Sequence, residues 1–141
     1  AQAADHDLHL ASAHARWRDD MERRLMAAIP GLRVFGASAP RLPQTSCLGV
    51  PGLLAETQVI ALDIAGVCVS SGAACSSGKV RASHVLLAIG APEAEAKCAV
   101  RVSFGWQTLE SELYQFSDIW IRAIARAFAM RGLPAINERV A

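Results

Sequence analysis

The chain has 141 residues, 52% of them hydrophobic and 19% charged, with 14 basic and 13 acidic side chains and a net charge of +1. That is enough length for one domain with a full core, and a charge too near zero to bind nucleic acid or an anionic membrane through bulk electrostatics. No apolar run approaches the roughly 20 residues of a membrane span. The first residues, Ala1 to His6, lack the basic-then-apolar order of a signal peptide.

Residues 5–29 read as one long helix, with Leu10, Trp17, Met21, Leu25 and Ala28 on one face. Asp19 with Arg23 and Asp20 with Arg24 are acid-before-base pairs at helical spacing, and Pro30-Gly31 stops the helix. His6, His9 and His14 are expected to be solvated, because their spacing does not converge on a metal. Short strands follow at Leu32–Phe35 and Thr45–Val50, the second closed by Pro51-Gly52. Leu54–Ala65 is a helix with Glu56 in its first turn and Gly66 as its C-cap. Val67–Val69 is a strand leading into a loop. Ser83 can cap a short helix that ends at Gly90, with Pro92 just beyond. Ala99–Phe104 alternates as a strand. The last helix starts at Thr108 as N-cap, with the stripe Leu109, Leu113, Phe116, Trp120, Ile124 and Ala127, and stops at Gly132 and Pro134.

These elements imply an α/β (α+β) fold: a small, mostly antiparallel sheet with helices packed on one face. Residues 1–141 are expected to be a single domain with residues 132–141 as a loose tail. No GxGxxG or P-loop pattern occurs.

The chemistry concentrates after the third strand, in Ser70-Ser71-Gly72-Ala73-Ala74-Cys75-Ser76-Ser77-Gly78. Small side chains on both sides leave Cys75 little bulk to hide behind, in a loop of mobile composition. Such a thiol can act as a nucleophile once deprotonated, and Lys79, Arg81 and His84 are near enough in sequence to favour the thiolate. The competing reading is a buried cysteine acting as a small hydrophobe. Cys47, Cys68 and Cys98 sit in or beside apolar strands and are assigned to the core. The four cysteines show no zinc spacing, and reduced thiols in the cytoplasm are expected. Trp17 and Trp120 are core or interface anchors.

The Ser70–Ser77 segment resembles the active-site loop of the NifS/IscS-type cysteine desulfurases, pyridoxal-phosphate enzymes of the class V aminotransferase group. Arg41-Leu42-Pro43, Glu56 to Gly66, Ser83-His84-Val85-Leu86 with Gly90, and Arg101-Val102-Ser103-Phe104-Gly105 with Thr108 and Glu110 extend the resemblance. It covers roughly residues 15 to 130 and matches only the family's C-terminal small domain. Trp106 stands where the family often has a basic residue, and an asparagine expected near Ser46-Cys47 is absent.

The resemblance implies removal of sulfur from L-cysteine to leave L-alanine. Cys75 would accept the sulfur as a persulfide and Arg101 would bind the substrate carboxylate, with Ser70, Ser71, Gly72, Ala73, Ala74, Ser76 and Ser77 forming the active-site loop. It also implies an acceptor such as an iron–sulfur scaffold or a tRNA-thiolation protein, and a homodimeric full-length protein. Pyridoxal phosphate would be held by the family's large domain. Lys79 and Lys97 are the chain's lysines, and neither sits in the family's cofactor-lysine motif. With no initiator Met, the chain is expected to be an excised domain, inactive by itself. Two other readings stay open: a sulfur carrier using Cys75 without pyridoxal phosphate, and a non-catalytic domain of another class V enzyme.

Overall fold

The computed structural model describes residues 2–71, 82–133, 135 and 136, with the backbone alone for residues 2–8. Helix α1 runs from Gln2 to Ala28. Met21, Leu25 and Ala28 are buried on its inner face, and Trp17 is half-buried beside them. Strands β1 (Arg33–Val34) and β2 (Thr45–Gly49) follow, then helix α2 (Ala55–Ile64), strand β3 (Ser70–Ser71), the short helices α3 (His84–Ala88) and α4 (Glu93–Ala96), strand β4 (Ala99–Ser103) and helix α5 (Glu110–Met130).

The four strands form one antiparallel sheet in the order β1-β2-β4-β3. Ser46 and Leu48 of β2, with Val100 and Val102 of β4, point to one face and are buried there. The long helices α1, α2 and α5 close that face around Trp120, Leu25, Ile29, Leu62, Ile121 and Ile124. This is the small sheet with helices on one face that the sequence implies. The short pair α3 and α4 covers one end of the opposite face, where Leu86, Ala96 and Ala99 pack with Phe35, Cys47, Ala82 and Ala91.

Most of the expected elements form, with shifts at their ends. The third strand begins at Ser70, not Val67. Helix α2 ends with Gly66 at φ +81°, the Gly66 N–H bonding the Asp63 carbonyl and the Val67 N–H bonding the Leu62 carbonyl. These two bonds form a Schellman turn. It takes the Val67 N–H that a strand would need, so Val67 and Val69 pack half-buried against the core ahead of the ladder. The same pair of bonds ends α3 at Gly90 and α5 at Gly132.

At the start of α5 the N-cap is Leu109, one residue after Thr108. The Thr108 hydroxyl instead accepts the Gly105 N–H, while the Glu112 carboxylate accepts the Leu109 N–H. Leu109 is therefore 62% exposed and off the buried stripe, which runs through Leu113, Phe116, Trp120, Ile124 and Phe128. Helix α4 was not expected, since Pro92 reads as a helix stop after Gly90 and here precedes a new turn.

Two other expectations about α1 are corrected. Arg23 pairs within α1 but with Asp20, three residues before it, and not with Asp19, and Arg24 reaches Asp118 on α5. His14 is buried, not solvated. Its ring lies 5.3 Å from that of Trp17 and 5.2 Å from that of Phe104, which follows β4 and packs under the helix.

Candidate active site

Of the sequence-predicted site residues, Ser70, Ser71 and Arg101 are among the described residues, on the adjacent strands β3 and β4. Arg101 lies on β4 with buried Val100 and Val102 as neighbours, so strand alternation turns it outward to the face away from the long helices. It is exposed, and among the described residues no side-chain hydrogen bond or ion pair occupies its guanidinium. Its ladder partners are Cys47 on β2 and Ser70 on β3. Directly opposed residues share a face, so hydroxyl, guanidinium and thiol form one row across three strands.

Ser71 pairs with Val100 and ends β3. Gly72, Ala73, Ala74, Cys75, Ser76 and Ser77 lie outside the described residues, as do Lys79 and Arg81. The chain is described again from Ala82, which packs against Leu86 on the covered end of the same face. His84 opens α3 and is exposed, and the Ser83 hydroxyl caps that helix by accepting the Leu86 N–H, as expected.

The remaining cysteines differ in environment. Cys98 is buried, and its thiol donates to the Ala94 carbonyl at 3.2 Å. Cys47 is half-buried, and burial pushes its thiol up to about 11 while the nearby Arg101 charge pulls the other way. Cys68, assigned to the core from sequence, is exposed. It lies between half-buried Val67 and Val69, so the backbone turns its side chain away from the helices those valines touch.

A buried polar cluster fixes the segment that leads into β2. Arg41 donates to both carboxylate oxygens of Glu22, at 2.6 and 3.0 Å, and Ser46 donates to the first of them at 2.6 Å. Arg18 donates to the Leu42 carbonyl at 2.8 Å. The bond to Glu22 holds the Arg41 proton more tightly than usual. This cluster ties residues 41–46 to α1, and through the β2–β4 ladder it sets the height of Arg101. Sequence reasoning missed Glu22. Its signal was its place on α1 one residue after buried Met21, at the edge of the apolar stripe.

A pyridoxal phosphate does not fit the described residues. Lys97 is the lysine among them, and its ammonium is held by exposed Glu93 at 2.6 Å. No group of three His, Cys, Asp or Glu among the described residues could hold a metal ion, and no helix among them is long and apolar enough to cross a membrane.

Comparison with known proteins identifies the family and the fold. The aminotransferase class-V family matches residues 3–116. A cysteine desulfurase of Cereibacter sphaeroides is 40% identical over 102 residues, covering 72% of this chain and 26% of the relative. One from Nostoc is 33% identical over 126 residues, covering 87% of the chain and 32% of the relative. The chain thus spans between a quarter and a third of the length of these relatives. A solved NifS-like protein superposes with a TM-score of 0.69 over 82% of this chain at 22% identity, and a NifS-like protein from Rickettsia africae with 0.61 at 24%. At such identity the two structures establish the fold. The family match and the fold together make the chain a member of the class-V aminotransferase family, of the NifS-like type.

Proposed function

We propose that this chain supplies the sulfur-accepting part of a cysteine desulfurase, with Cys75 as nucleophile and Arg101 as the grip on the substrate carboxylate. The observation that carries the reading is the ladder pairing of Arg101 with Ser70. A guanidinium with no side-chain partner among the described residues faces outward beside the strand that leads into the cysteine loop. Cys75 lies four positions after Ser71, at most about 14 Å of extended chain, so the thiol is tethered within reach of anything Arg101 holds.

A planar fork of donors suits a carboxylate gripped by two parallel hydrogen bonds. With L-cysteine held so, the Cys75 thiolate forms a sulfur–sulfur bond to the substrate sulfur as the carbon–sulfur bond breaks. The released pair returns to the carbon skeleton, which takes up a proton and leaves as L-alanine. L-cysteine plus the Cys75 thiol gives L-alanine plus the persulfide, so the exchange needs no outside oxidant or reductant. In this reading the persulfide passes to an acceptor protein serving iron–sulfur assembly or tRNA thiolation, and the full-length protein works as a homodimer in the cytoplasm. Pyridoxal phosphate would supply the electron withdrawal that loosens the carbon–sulfur bond. Since the described residues offer it no seat, it would be held by other parts of the protein, and the 141 residues alone would be inactive.

The test is persulfide trapping on the intact protein supplied with L-cysteine and pyridoxal phosphate. Persulfide mass is expected on the Cys75 peptide, and Cys75→Ser should abolish both that mass and sulfide release. Full sulfide release by Cys75→Ser would remove the catalytic assignment.

A further inference from the structure

Helix α2 is apolar on both sides. Ala55 and Leu62 are buried in the core, yet Ile60 is 60% and Ile64 84% exposed, one turn apart on the outer side. Two exposed isoleucines at one-turn spacing make a contiguous apolar surface of the kind that marks an interaction site. The outer side of α2 forms one wall of a groove of about 610 Å³, whose other wall is α5. Half-buried Ala123 and Ala127 keep the α5 wall low, and Met130, 88% exposed, stands at its end. The basic residues in the lining are Arg122 and Arg126, also one turn apart and both exposed. Among the described residues neither meets a carboxylate.

We propose that this groove docks an acidic amphipathic helix of a partner protein, its apolar stripe on Ile60, Ile64 and Met130 and its carboxylates on Arg122 and Arg126. Three features select that occupant. Both walls are helices and offer no strand edge, so an extended peptide would leave its backbone groups unpaired on apolar surface, whereas a helix satisfies its own. The walls run from Thr57 to Ala65 and from Ile119 to Met130, about 12 and 16 Å at the helical rise, which matches about two to three turns. The two guanidiniums stand at the spacing of carboxylates four residues apart on a facing helix. A second copy of this chain docked symmetrically through the groove would instead bring in four arginines and no carboxylate from the lining. This inference does not depend on the sulfur chemistry.

The probe is a fluorescein-labelled 14-residue peptide with Leu at i, i+3, i+4 and i+7 and two Glu four residues apart flanking the stripe. Its twin carries Lys in place of Glu. Anisotropy titrations with the intact protein should show the acidic peptide binding at least about tenfold tighter than the twin at low salt, with the gap narrowing as salt screens it. Arg122→Glu with Arg126→Glu should reverse the preference, and Ile64→Asp should weaken both peptides about tenfold or more. These positions are exposed, so circular dichroism should be unchanged. Three outcomes would overturn the proposal. One is no binding, and another is equal binding of the two peptides. The third is dimerisation of the protein alone that Ile64→Asp abolishes in sedimentation, which would make a second copy the occupant.

Discussion

Cys47 on β2 and Arg101 on β4 are direct partners in the ladder, so a half-buried thiol and an exposed guanidinium leave the sheet on the same face. Burial holds the Cys47 proton up to about 11, and the arginine charge moderates that shift. Cys47 should therefore remain a thiol at neutral pH and react with iodoacetamide more slowly than exposed Cys68. Because the folded thiol ionises late, its alkylation rate should keep rising with pH up to about 11. Arg101→Ala should move the Cys47 profile to still higher pH. Peptide-resolved mass spectrometry across a pH series reads all three, and a Cys47 rate equal to that of Cys68 at neutral pH would contradict the packing.

Arg101→Ala should leave the fold intact, because the side chain is exposed and carries no bond to the described residues. On the proposed function it removes two charge-assisted hydrogen bonds to the substrate, worth about 1.5–3 kcal/mol each. KM for L-cysteine in the intact protein should then rise by about two orders of magnitude or more. Arg101→Lys should recover a minor part, since an ammonium cannot make the paired contact. Unchanged cysteine affinity with an unchanged melting curve would take Arg101 out of the site.

Glu22 sits 5% exposed between Arg41 and Ser46. Removing one partner of a buried pair leaves the other charge uncompensated, at about 3–5 kcal/mol. Glu22→Gln should lower stability by that order in urea denaturation. Glu22→Leu combined with Arg41→Met should cost much less than Glu22→Gln alone, because no charge is left behind. If the double variant is as unstable as the single one, the pair is not the source of the loss.

Gly49 ends β2 against the Phe35 ring, and a Cβ there would lie 2.8 Å from the Phe35 Cε2. Gly49→Ala should therefore destabilise the chain by about 1–3 kcal/mol through overpacking. Phe35→Leu made together with it should relieve part of that cost, giving a non-additive double-mutant cycle. Strict additivity would show that the ring moves aside freely.

Several of these residues were visible in the sequence and others were not. Arg101 could be named as a site residue because the run Arg101 to Gly105 carries a family motif, yet its pairing with Cys47 could not. His14 falls three and seven residues before Trp17 and Met21, on the same helical stripe, so periodicity alone pointed inward while its polar ring pointed outward. The helix won, because Phe104 and Trp17 give the ring aromatic partners. Glu22 was hidden for a related reason: its counter-charge, Arg41, is supplied by a segment beyond the helix end.

The order of elements and their stops were written locally: apolar period, a proline after the first helix, and glycines at 66, 90 and 132 that can take positive φ. Those signals act within a few residues, so the chain carries them before it folds. Which side chains stand together on the open face was decided only when β2 and β4, about fifty residues apart, locked into one register. A shift of one residue there would have turned Arg101 into the core, and the buried helices on the other face are what forbid it.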